Sequence, residues 1–226
     1  MREIVRKFCA EYELDFHECF RLEVVDDISE YIRKDDVEYY HDRKEQIECA
    51  YGMLYEDSSG QLIILEKVQD EVNFLATLLH EYVHLCDYTE LSKNRNNANF
   101  RGLQEDYVFL YWTEFHATYL SYRFLLDMNP DGIVVESVRN EIVGDLQKYY
   151  SSQQNLDKNN AMDKTVRSYG SYIALYEKFS DEVVMYPRQY YLNETFLKIY
   201  NFLMSYKKFE AFILKYDDFK ELILKI

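Results

Sequence analysis

Glycine and proline are scarce in this chain, six and two among 226 residues. A flexible linker needs runs rich in Gly, Ser or Pro, so none is expected, and the shortage favours long helices over tight turns. Long apolar runs are missing too. Nothing approaches the roughly 18 residues that would span a bilayer. The charged start Met1-Arg2-Glu3-Ile4-Val5-Arg6-Lys7 is not followed by an apolar stretch of signal-peptide length. Positive charge is also short: 26 Lys and Arg face 41 Asp and Glu, for a net charge of −15. Phosphate backbones and anionic membrane surfaces call for clustered cations, so neither nucleic acid nor membrane is an expected partner. The four cysteines, Cys9, Cys19, Cys49 and Cys86, show no paired metal-type spacing. They read as free thiols of a cytoplasmic, reduced protein.

Aromatic residues, by contrast, are abundant, with 23 Tyr and 14 Phe, a composition too rich for disorder. The chain is also long enough to bury a sizeable core. Residues 1–12 read as a short helix with Ile4, Val5 and Phe8 on one face, and Phe20–Val25 alternates as a strand. Ser29–Glu48 is charged and helical, with Ile32, Val37, Tyr40 and Ile47 as its apolar positions. Ala50–Tyr55 and Gln61–Leu65 flank Glu56-Asp57-Ser58-Ser59-Gly60, a loop of hairpin length. A helix over residues 70–88 follows, with Asp70 as its N-cap, then an Asn-rich loop over 89–99. A second helix from Phe100 to Met128 ends at the turn Asn129-Pro130-Asp131-Gly132. Residues 133–226 read as three or four more helices: Ile133–Tyr150, Lys164–Phe179, and one from Glu194 broken near Lys207 or Asp217.

The first long helix carries His80-Glu81-Tyr82-Val83-His84, the pattern H-E-x-x-H. Residues four apart stand one turn above each other, so both imidazoles project from one face. Two such nitrogens make half of a tetrahedral zinc site. Glu81, at the edge of that face, can reach a metal-bound water as general base. Leu75, Leu79, Tyr82 and Cys86, with Leu78 and Leu85 beside them, form an apolar stripe. Asn73, Thr77, His80, Glu81, His84 and Asp87 form a polar one. This pattern points to a zinc-dependent hydrolase. Asp87, one turn past His84, either accepts an imidazole N–H or is a solvated helix-end carboxylate. His17 and His41 have no partner at ligand spacing and read as surface residues.

Zinc needs a third protein ligand. Glu90 would serve if the chain turned sharply after His84, but Asp87 occupies the place where that turn needs Gly. The alternative is Trp112-Thr113-Glu114-Phe115-His116-Ala117-Thr118-Tyr119, in which Glu114 and His116 lie about 200° apart round the helix. An H-E-x-x-H helix followed by a second helix with Glu, and Ala three residues later, resembles the gluzincin metallopeptidases. With the preceding hairpin and the small size, the likeness is to their compact members, the minigluzincins. Similar layouts occur in stand-alone peptidases linked to phage-repressor control. The resemblance covers residues 50–128.

It implies His80 and His84 as imidazole ligands, Glu81 as general base, Glu114 as carboxylate ligand, and Zn2+ as cofactor. It implies a peptide or protein substrate, hydrolysed by a metal-activated water. The strand Gln61–Leu65 is then a candidate edge for an extended substrate. The expected fold is α+β and mostly helical: a small hairpin or sheet on a zinc-binding helix pair, with a C-terminal helical bundle. The expected division is a zincin-like core over 1–130 and a helical extension over 131–226 packed on it. A catalytically weak or inactive zincin fold, acting as a regulatory protein-binding module, is the alternative; oligomeric state is left open.

Overall fold

A computed structural model describes residues 1–67, 70–96, 98–128, 135–152, 158–183 and 194–225. The fold is α+β and mostly helical, as expected. It divides into two compact units, Met1–Arg101 and Gly102–Ile226. The domain boundary expected at residue 130, like the turn Asn129–Gly132, lies outside the described residues. No described helix is long and apolar enough to cross a membrane.

In the first unit, α1 (Arg2–Tyr12) leads into β1 (Arg21–Val25). The charged segment that follows is three short helices rather than one: α2 (Ile28–Asp35), α3 (Val37–Asp42) and α4 (Lys44–Glu48). Two aspartates punctuate it. Asp27 accepts the N–H of Glu30 and Asp36 that of Tyr39, so each starts a new helix. Val37, expected to be an apolar contact, is exposed at the first position of α3.

Strands β2 (Gly52–Asp57) and β3 (Gly60–Glu66) form the expected hairpin, with a turn tighter than expected. Asp57 pairs with Gly60, leaving Ser58 and Ser59 at the tip, and Gly60 takes φ 109°, a conformation suited to glycine. Glu56 and Asp57 look like loop residues in sequence. Arg21 explains why Asp57 stays in the strand: its guanidinium grips both carboxylate oxygens, at 2.6 and 2.7 Å.

The sheet order is β1-β3-β2, with β1 parallel and β2 antiparallel to β3. Gln61–Leu65 is therefore the central strand, not the edge expected for substrate pairing. Its run Leu62-Ile63-Ile64-Leu65 is buried on both faces, as a central strand requires. Tyr55, Leu62 and Ile64 form one core with Ile28, Ile32, Tyr39, Tyr40 and Ile47. The opposite face receives α5 (Glu71–Asn94).

The single turn α6 (Phe100–Leu103) is followed by α7 (Tyr107–Met128). Asp106 separates them by accepting the N–H of Phe109, one turn into α7. Helices α8 (Val135–Ser152), α9 (Lys158–Lys178), α10 (Glu194–Ser205), α11 (Phe209–Ile213) and α12 (Tyr216–Ile223) complete the second unit. The break near Lys207 falls where expected. Trp112 of α7 anchors the C-terminal turns: its indole stacks on Phe212 at 4.3 Å and donates to the Tyr206 carbonyl.

Helix α9 comes close to α7 at Gly170. A Cβ there would stand 2.7 Å from the Phe115 carbonyl oxygen and 2.9 Å from the Tyr119 nitrogen. Contacts advance together along both helices, from Arg167 with Glu114 to Lys178 with Asp127. The two helices thus run in the same direction.

Candidate metal centre

Helix α5 starts where Asp70 accepts the N–H groups of Val72 and Asn73. It then continues unbroken to Asn94, six residues past the expected end. His80, Glu81 and His84 therefore sit in mid-helix. From Leu78 to Tyr88 nearly every side chain is buried, so the polar stripe runs from exposed Asn73 inward to buried Glu81, His84 and Asp87.

The two imidazoles converge. His80 Nε2 and His84 Nε2 are 3.0 Å apart, with ring planes at 83°. Tetrahedral zinc with arms of about 2.0–2.1 Å would set two ligand nitrogens about 3.3 Å apart. The pair fits such a cation with a small adjustment. A direct hydrogen bond between a donor and an acceptor imidazole also fits the distance.

Glu81 is held from the sheet. Its Oε2 accepts the Leu54 N–H at 3.0 Å in a buried contact. The register shows why that N–H is available. Tyr51 and Glu66 form a hydrogen-bonded pair, so by alternation Leu54, opposite Ile63, turns its backbone groups away from β3. Strand β2 is thus the sheet edge facing the motif, and the Glu81 carboxylate satisfies one of its outward donors.

Gly52 allows this approach. A Cβ there would lie 2.3 Å from Thr77 Cγ2 and 3.2 Å from Glu81 Cγ. A side chain at 52 would push α5 off the strand. Neither Gly52 nor the Leu54 N–H is marked by the motif. The signal that could have found them is the small residue opening the strand before an H-E-x-x-H helix.

Asp87 is 2% exposed, which overturns its reading as a solvated helix-end carboxylate. Glu90 is also decided. With no turn at Asp87, Glu90 lies about 9 Å further along the helix axis than His84 and about 120° round from it, paired with Lys93. It cannot join the imidazoles. His17 is not the surface residue expected. Its backbone N–H donates to the Tyr82 hydroxyl at 2.8 Å, its Nε2 is buried without a hydrogen-bond partner, and burial lowers its imidazole pKa. His41 is exposed as expected.

In the second unit, α7 is buried on almost every side. Glu114 is 7% exposed and its Oε2 meets Arg167 Nη2 of α9 at 2.9 Å. Arg167 Nε also meets Asp163 Oδ2, one turn earlier on α9, at 3.2 Å. His116 is 5% exposed and stacks on Trp112 with ring centroids 4.7 Å apart, the setting of a packed core histidine. Comparison with protein-family models, curated proteins and solved structures finds no match.

Proposed function

We propose that this chain is a zinc-dependent peptide hydrolase of gluzincin type, with His80, His84 and Glu114 as metal ligands and Glu81 as general base. One observation carries the reading: two imidazole nitrogens 3.0 Å apart on a buried helix turn, with a carboxylate between them in sequence that the sheet edge holds in place. His80, His84 and Glu114 each offer one ligand atom of a type zinc accepts. Three protein ligands are the complement of a catalytic site.

Bound zinc would supply Lewis acidity at the scissile carbonyl and a water pKa lowered toward about 7. The remaining steps belong to the chain. Glu81 Oε2 stays on the Leu54 N–H, and its other oxygen takes the proton of the attacking water. Glu81 then returns that proton to the leaving amine as the peptide bond breaks. The substrate is a peptide or protein, and the free, exposed thiols Cys19 and Cys49 suit a cytoplasmic setting.

Metal analysis and turnover test this reading. The purified protein should carry about one zinc per chain, and His80→Ala or His84→Ala should lose most of it. Glu81→Gln should keep its zinc while hydrolysis of a fluorogenic peptide library falls roughly 100- to 10,000-fold. Full zinc occupancy in both histidine variants would mean that the imidazoles bond to each other and hold no ion. Undiminished turnover in Glu81→Gln would remove the base from the mechanism.

A further inference from the structure

We propose that Arg167 is a positioning residue of the metal centre, fixing the orientation of the Glu114 carboxylate. The inference rests on Glu114 being the third ligand. A carboxylate 7% exposed on an apolar helix needs a compensating charge. Arg167 provides it, with its Nη2 2.9 Å from Oε2.

The guanidinium is itself oriented. Asp163 takes its Nε at 3.2 Å, so the planar fork is gripped from a second direction. The close approach at Gly170, one turn further along α9, sets the spacing of the two helices through backbone rather than through a flexible side chain. The line Asp163–Arg167–Glu114 has the form of the outer contacts that hold metal ligands in register. Lysine could not replace the arginine fully, because a single ammonium lacks the fixed fork that spans both carboxylates.

Zinc affinity, measured on the full chain by competition with a chromogenic chelator, tests the proposal. Arg167→Ala should weaken zinc binding about 10- to 100-fold, and Arg167→Lys should recover part of that loss. Asp163→Asn should weaken it by a smaller factor. In Co2+-substituted protein, Arg167→Ala should shift the visible ligand-field bands as the Glu114 carboxylate loses its fixed orientation. A merely structural ion pair would lower the melting temperature of the metal-free protein and leave those bands in place. Wild-type affinity and wild-type bands in Arg167→Ala, with zinc lost in Glu114→Ala, would overturn the role of Arg167 alone. Wild-type zinc affinity in Glu114→Ala would overturn the ligand assignment itself, and the role of Arg167 with it. If Arg167→Ala does not fold, Arg167→Lys and Asp163→Asn decide on the same two readouts.

Discussion

Cys9 and Cys86 are buried while Cys19 and Cys49 are exposed, and this difference is chemical as well as steric. Burial pushes the Cys9 thiol up to about 11, outweighing the lowering effect of its hydrogen bond with Tyr82. Burial also raises Cys86 well above its ordinary value. A thiol with a pKa of 11 is ionised to about one part in a thousand at pH 8, and only the thiolate reacts readily. Iodoacetamide on the native protein should therefore add two groups, at Cys19 and Cys49, and four after denaturation, as counted by intact mass. Rapid native labelling of Cys9 or Cys86 would show that this part of the core opens. Residues of this kind were legible where the signal was local. The i, i+4 spacing put His80 and His84 on one face, and Cys86 fell on the apolar stripe. Arg167 was not legible, because its partner Glu114 lies 53 positions away. Nor was the Leu54 N–H, a backbone group that no side-chain motif can mark.

Glycine at two helical positions makes the element scale testable, because the same substitution should act in opposite directions. Within a helix, Gly costs about 0.5–1 kcal/mol relative to Ala. At Gly144 in α8 an added Cβ meets nothing within 4 Å, so Gly144→Ala should stabilise by about that amount. At Gly170 the Cβ would press on the backbone of α7, at 2.7 and 2.9 Å, and backbone cannot swing aside as a side-chain tip can. Gly170→Ala should destabilise by about 1–3 kcal/mol, the usual cost of overpacking. Urea midpoints at constant slope measure both. Stabilisation by Gly170→Ala would show that the two helices separate freely. Element boundaries were missed for related reasons. The Asn-rich stretch after residue 88 looked like loop, yet α5 extends to Asn94 because Leu91 is fully buried and holds the last turn. The break at Asp106 was hidden because the residues on both sides of it share one apolar pattern, and only the cap distinguishes them.

For the whole molecule, composition already carried the class. Few glycines and few prolines favour long helices, the many aromatics exclude disorder, and one clear hairpin adds the small sheet. What composition could not carry is how a chain of net charge −15 tolerates acidic groups partly withdrawn from water. Glu177 shows one solution. It accepts the Tyr119 hydroxyl at 2.6 Å, Arg123 at 2.7 Å and Lys207 at 2.8 Å, tying α7, α9 and the turn after α10 together. Burial alone would raise its pKa, but the hydrogen bonds from Lys207 and Tyr119 and the charges of Lys207 and Arg123 hold it below the ordinary value. A carboxyl with a depressed folded pKa contributes stability that is fully present above its unfolded value, about 4.3. That contribution is lost as pH falls through the lower, folded value. Glu177→Gln should thus cost about 1–3 kcal/mol near pH 7, and the gap from wild type should narrow as the pH drops below about 4. Relief of the overall negative charge acts on both proteins as they are acidified, so it changes their stabilities together and leaves this difference to report Glu177. Urea unfolding of both proteins at pH 7, 5 and 3 measures the gap directly. A gap of equal size at all three values would mean that the three donors recognise the shape of the side chain at 177 and not its charge.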